Sequence, residues 1–227
     1  MGKMIELTAA DGHKFAAYRA EPSGANAAKP RGAIVVIPEI FGVNAHIKSV
    51  ADGYANDGYL AIAPAMFDRA QRGYDTGYSQ PEIQAGIAIM QKLDWKQTML
   101  DVDAAVAEAK KAGRVGIVGY CWGGTVAWVA AARTAGLAAS VPYYGGGMPN
   151  FKDEKPKIPV MCNFGELDQS PTPAQAKELL GKHPEVQGHF YGGAGHGFNC
   201  DQRGSYNAEA AKLARERTLA FFRKHVG

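Results

Sequence analysis

Only three of the 227 residues are cysteine: Cys121, Cys162 and Cys200. An odd number leaves at least one thiol unpaired, which argues against a disulfide scaffold and for a reducing compartment. The polar start from Met1 to Glu6 does not read as a signal peptide, so the expected location is the cytoplasm. Basic residues form no run longer than short pairs and the formal charge is only +3, which removes the electrostatic footprint that nucleic-acid binding needs. No apolar stretch suits a membrane span, because the best candidate, Thr125 to Tyr144, is interrupted by Arg133, Gly136 and Pro142. Linkers, internal repeats and low-complexity segments are also missing, so residues 1–227 read as one domain.

What is present is ordinary for a globular chain, with 46% hydrophobic and 21% charged residues, enough to build a sizeable core. The pattern alternates strand and helix. Met4 to Leu7 and Lys14 to Arg19 flank the turn pair Asp11-Gly12 as an N-terminal hairpin, and residues 21–31 form a Pro/Gly/Ala-rich loop. Apolar runs over 32–38, 59–63, 115–118, 138–144 and 159–164 read as strands, and 187–191 as the last strand. Helical spacing follows from near Asn44, over 82–92, from Trp95 to a close at Lys110 and Lys111, from Thr125, from Thr172-Pro173 to Lys182, and over 207–226. Residues 64–79 read as an irregular loop. Such alternation implies an α/β fold, with a mostly parallel sheet covered by helices on both faces.

The stretch Arg114 to Trp128 organises the rest. Gly119-Tyr120-Cys121-Trp122-Gly123 has the form of a nucleophile elbow, G-x-S-x-G, with sulfur replacing the serine oxygen. Only small residues fit beside the sharp strand-to-helix turn that such an elbow needs. A helix N-terminus favours a thiolate, and the Trp122 N–H would face a developing oxyanion. Taken alone, the motif equally describes a buried cysteine in a glycine-rich turn.

Two further strand ends carry useful groups: Asp168, in Gly165-Glu166-Leu167-Asp168, and His196, in Gly192 to Phe198. Nucleophile, acid, then histidine is the chain order of α/β-hydrolases. His196 would take the thiol proton, and Asp168 would orient the ring and stabilise the imidazolium. Glu39, directly after the 32–38 strand, sits at the same edge, where a carboxylate can equally cap the next helix.

These motifs, with Asp11-Gly12-His13, Pro38-Glu39-Ile40-Phe41-Gly42-Val43-Asn44 and Tyr143-Tyr144-Gly145, resemble the dienelactone hydrolase (carboxymethylenebutenolidase) family of the α/β-hydrolase fold over nearly the whole chain. The resemblance implies a Cys121-His196-Asp168 triad and an oxyanion hole from the backbone N–H groups of Trp122 and Ile40. It also implies that Glu39 acts as a switch, interacting with the thiol at rest and helping to deprotonate it when an anionic substrate arrives. Two arginines that hold the substrate carboxylate in similar enzymes have no counterpart: residues 81–97 contain no arginine, and the position four after His196 is Cys200. Arg203, Arg69 and Arg72 are the candidate replacements. Trp122, Tyr143, Tyr144 and Phe198 are candidate pocket walls.

The expectation is a monomeric hydrolase, with no cofactor and no membrane or nucleic-acid partner, that cleaves a small lactone or ester, anionic or neutral, through a thioester on Cys121. The alternatives are an esterase or thioesterase for other small substrates, or a non-catalytic reactive-thiol sensor or binding protein. His196 and Cys200 have metal-ligand spacing, but no further Cys or His cluster completes a site in the sequence. His13, His46, His183, His189 and His225 show no partner pattern.

Overall fold

The computed structural model describes residues 2–24 and 27–227. Met1, Ala25 and Asn26 lie outside the described residues, and with them the middle of the expected 21–31 loop. The hairpin forms as expected: β1 (Lys3–Thr8) pairs antiparallel with β2 (Lys14–Ala20) around Gly12, whose φ of 83° suits glycine. The other strands are β3 (Ala33–Ile37), β4 (Leu60–Pro64), β5 (Val115–Tyr120), β6 (Leu137–Tyr143), β7 (Met161–Gly165) and β8 (Gln187–Tyr191). Together they make one eight-stranded sheet in the order β1-β2-β4-β3-β5-β6-β7-β8, parallel from β4 through β8.

The helices are α1 (Ala45–Asn56), α2 (Gln80–Met90), α3 (Trp95–Ala109), α4 (Trp122–Arg133), α5 (Pro173–Lys182) and α6 (Ala208–His225). Alternation along β3 divides the core. Ala33, Val35 and Ile37 face α3 and α4, whereas Ile34 and Val36 face α1 and α6. Both faces are therefore dry, which is why the central strands read as continuous apolar runs rather than alternating ones. Within the expected 64–79 loop, Met66–Arg69 form one 3₁₀ turn.

Helix α4 begins three residues before the expected Thr125. Gly123 and Gly124 are poor helix formers, yet a Cβ at Gly123 would lie 2.5 Å from the carbonyl oxygens of Ile37 and Pro38, and one at Gly124 2.4 Å from that of Tyr143. Close packing of the helix on the strand ends selects glycine here against its own propensity. That approach brings the ends of β3, β5 and β6 around one point.

The opposite face depends on Phe222 of α6, which is fully buried, meets Tyr54 edge-on at 6.0 Å and lies over Gly116. Phe222→Ala should cost about 3–5 kcal/mol through lost burial and the cavity left behind, read as a lower urea midpoint with an unchanged m-value.

Candidate active site

Cys121 stands between β5 and α4 at φ 56°, ψ −120°, a conformation rare for any residue with a Cβ. A Cβ at Gly119 would come within 1.9 Å of the Gly123 carbonyl oxygen, so the flanking glycines are a steric requirement of this turn. The thiol is partly exposed, and its Sγ lies 3.1 Å from His196 Nε2. On the other side of the ring, Nδ1 lies 3.2 and 3.1 Å from Asp168 Oδ1 and Oδ2. Asp168 is buried after β7 and accepts a 2.8 Å hydrogen bond from the Ser170 N–H, which fixes the carboxylate. The structure thus brings Cys121, His196 and Asp168 into one hydrogen-bonded line.

Burial opposes the charged form of His196, but the facing Cys121 sulfur and the Asp168 carboxylate outweigh it and hold its pKa well above the ordinary histidine value. The other cysteines differ. Burial inside β7 pushes the Cys162 thiol up, and burial followed by the Glu39 charge pushes Cys200 up to about 11. Cys121 alone of the three combines solvent access with a histidine partner.

Trp122 and Ile40 both border the cavity above the sulfur, and among the described residues neither backbone N–H donates a hydrogen bond. Glu39 is almost fully buried, and its Oε1 accepts from Arg203 Nη1 at 2.9 Å. This corrects one expectation: the resting partner of Glu39 is Arg203, not the thiol, which instead faces His196.

The remaining candidates divide. Arg203 reaches the cavity and stacks over Phe41 and Tyr78 at 5.6 and 6.0 Å from their centroids. Arg69 does not line the cavity: it is clamped by both oxygens of Asp101, each at 2.7 Å, and by Asp11. Arg72 is exposed and bonded to the Lys14 carbonyl and Glu6. In each case a closer carboxylate or carbonyl takes the guanidinium. Tyr143, Tyr144 and Phe198 are fully buried behind the triad rather than lining the cavity. Tyr144 presents its ring edge-on to His196 at 5.2 Å and Phe198 backs Tyr144, so these aromatics brace the histidine loop.

The cavity itself measures about 700 Å³. Its walls are Ile83, Ile87 and Met90 of α2, Trp95 at the start of α3, Phe151 and Trp122. The α2 residues were missed in the sequence, although their i, i+4, i+7 spacing marks an apolar helix face. A second group was also missed. Cys200 meets Glu39 and His46 rather than His196, and His46 Nδ1 lies 3.1 Å from Asp201. No local spacing links His46 to the loop after β8.

The chain matches the model of the dienelactone hydrolase family over residues 15–226. It is 34% identical over 232 residues to a provisionally named carboxymethylenebutenolidase of Synechocystis sp., covering 94% of this chain and 93% of that one. It is 32% identical over 228 residues to the carboxymethylenebutenolidase of Pseudomonas putida, covering 96% and 94%. Among solved structures, a provisionally named dienelactone hydrolase from Klebsiella pneumoniae subsp. pneumoniae superposes with a TM-score of 0.84 at 28% identity, covering 98% of this chain and all of that one.

Because the Cys121 sulfur raises the His196 pKa, Cys121→Ala should lower it, and Asp168→Asn should do the same. Titration of the His196 ring by NMR checks both; unchanged values would mean that the ring does not sense either neighbour.

Proposed function

The chain belongs to the dienelactone hydrolase family, and from that membership we propose that this hydrolase opens a small lactone or ester through a thioester on Cys121. The observation that carries the reading is the continuous line from Cys121 Sγ through His196 to Asp168 at a strained elbow. His196 takes the Cys121 thiol proton as the sulfur attacks the substrate carbonyl, and the backbone N–H groups of Trp122 and Ile40 receive the oxyanion. His196 then hands its proton to the departing oxygen, with Asp168 holding the imidazolium in place. Water deprotonated by His196 attacks the thioester, releasing the acid and restoring the thiol. When the substrate is a lactone, the leaving oxygen stays tethered and a single hydroxy acid, or its keto tautomer, results. These steps use protein groups and water alone.

Glu39 and Arg203 bear on the substrate's charge. A substrate carboxylate that engaged Arg203 would displace Glu39, freeing it to turn toward the thiol and assist deprotonation. Displacement has a cost, since breaking one side of a buried ion pair leaves a charge uncompensated by about 3–5 kcal/mol unless the substrate replaces it. An anionic substrate can do so.

A second reading, an esterase or thioesterase for uncharged substrates, is favoured by the apolar walls of the cavity. Apart from His196, Arg203 is the one cationic side chain among its described lining residues, and it is already paired. The monomeric state belongs to this proposal. No helix among the described residues is long and apolar enough to cross a membrane.

Steady-state hydrolysis of an anionic dienelactone and an uncharged aryl ester tests both readings. Cys121→Ala should lower kcat for both by at least about 10³-fold, and undiminished turnover would remove Cys121 from the chemistry. Arg203→Gln should raise KM for the anionic lactone and leave that for the aryl ester within about twofold if Arg203 binds a substrate carboxylate. A better rate on the aryl ester, with no selective effect of Arg203→Gln, would support the second reading.

A further inference from the structure

Next to the catalytic edge, three buried side chains from distant parts of the chain converge. Glu39 follows β3, His46 lies in the first turn of α1, and Cys200 lies in the loop after β8; their exposures are 1%, 4% and 0%. One ligand atom from each lies within 4.8 Å of the other two. Glu39 Oε2 and His46 Nε2 are buried without a hydrogen-bond partner among the described residues, although both side chains are anchored through their other polar atom. Arg203 holds Glu39 Oε1 at 2.9 Å, and Asp201 holds His46 Nδ1 at 3.1 Å.

The donor count makes the arrangement informative. In the tautomer that donates its Nδ1–H to the Asp201 carboxylate, His46 keeps Nε2 as a buried lone-pair acceptor. The carboxylate oxygen Oε2 is also an acceptor. Two buried acceptors thus have only one weak thiol donor beside them within this cluster, and burying them unmatched is unfavourable. A bound cation would satisfy both acceptors at once. The carboxylate–histidine contact matches the outer support that metal-binding imidazoles usually carry.

We propose that Glu39, His46 and Cys200 form a binding site for a thiophilic divalent cation such as Zn²⁺. Mixed oxygen, nitrogen and sulfur donors suit Zn²⁺, with the Cys200 thiol releasing its proton to solvent as the metal–sulfur bond forms. Tetrahedral ligands at about 2.0–2.3 Å lie roughly 3.5 Å apart, so the three atoms need only a small inward movement. The open cleft bordered by Tyr78, Gln202 and Arg203 offers an approach, since the Tyr78 hydroxyl lies beside Cys200. Occupation would hold Glu39 by both oxygens, a consequence that rests on the switching role proposed for Glu39.

The test uses the full chain, stripped with a chelator and titrated with Co²⁺ and then Zn²⁺. One equivalent of Co²⁺ should give a thiolate-to-cobalt charge-transfer band that Zn²⁺ displaces. Cys200→Ser should abolish the band, His46→Gln should weaken Zn²⁺ binding at least about tenfold, and Cys121→Ala should retain both. His46→Gln decides the matter by itself if Cys200→Ser does not give a native circular dichroism spectrum. No saturable binding, or a band that survives Cys200→Ser and disappears in Cys121→Ala, overturns the site. Turnover of the anionic dienelactone separates site from switch: Zn²⁺ should slow the wild type and not His46→Gln, and binding without slowing overturns only the link to Glu39.

Discussion

The sheet edge that holds Cys121, His196 and Asp168 depends on one close backbone approach. Helix α4 starts so near the ends of β3 and β5 that Gly123 sits against the Ile37 and Pro38 carbonyls and Gly119 against the Gly123 carbonyl. This contact forces Cys121 to φ 56°, at a cost on the order of 1–3 kcal/mol for a side-chain-bearing residue. Sheet pairing and the buried faces of α4 offset that strain. In return the sulfur stands clear of the sheet, and the N–H groups of Trp122 and Ile40 come from two elements that cannot drift apart.

Burial then sets the electrostatics around this fixed point. Asp168 is removed from water and oriented by the Ser170 N–H, so its charge acts on the His196 ring rather than on solvent. The histidine loop is supported from beneath by Tyr144 and Phe198. Glu39 and Arg203 form a second buried pair beside the triad, joining the end of β3 to the loop after β8. Through that pair, Arg203, the position of Glu39 and the Glu39-His46-Cys200 cluster are physically linked.

Much of the fold was legible because its elements have strong local signatures. The apolar runs of β3 and β5, the Asp11-Gly12 turn and the Thr172-Pro173 helix start each appear where their residues require. The start of α4 was misplaced because glycines at 123 and 124 oppose helix locally, and only tertiary packing makes them necessary. Aromatic character likewise did not say which way Tyr143, Tyr144 and Phe198 would face: all three lie in the core layer shared with α6, and Tyr143 bonds to Thr218 there.

The sequence by itself determined the α/β alternation, the G-x-C-x-G turn and the order of Cys121, Asp168 and His196, because backbone periodicity and turn sterics are local. The family likeness rests on those same stretches. Tertiary structure decided which charges meet. Arg203 reaches Glu39 across the sheet edge, whereas Arg69 is taken by Asp101 and Asp11, and Arg72 by Lys14 and Glu6. It also turned the apolar face of α2 over the sulfur and set His46 beside Cys200. A side chain binds the nearest complementary group in space, and that distance is fixed by how the loops close over the sheet, not by spacing along the chain.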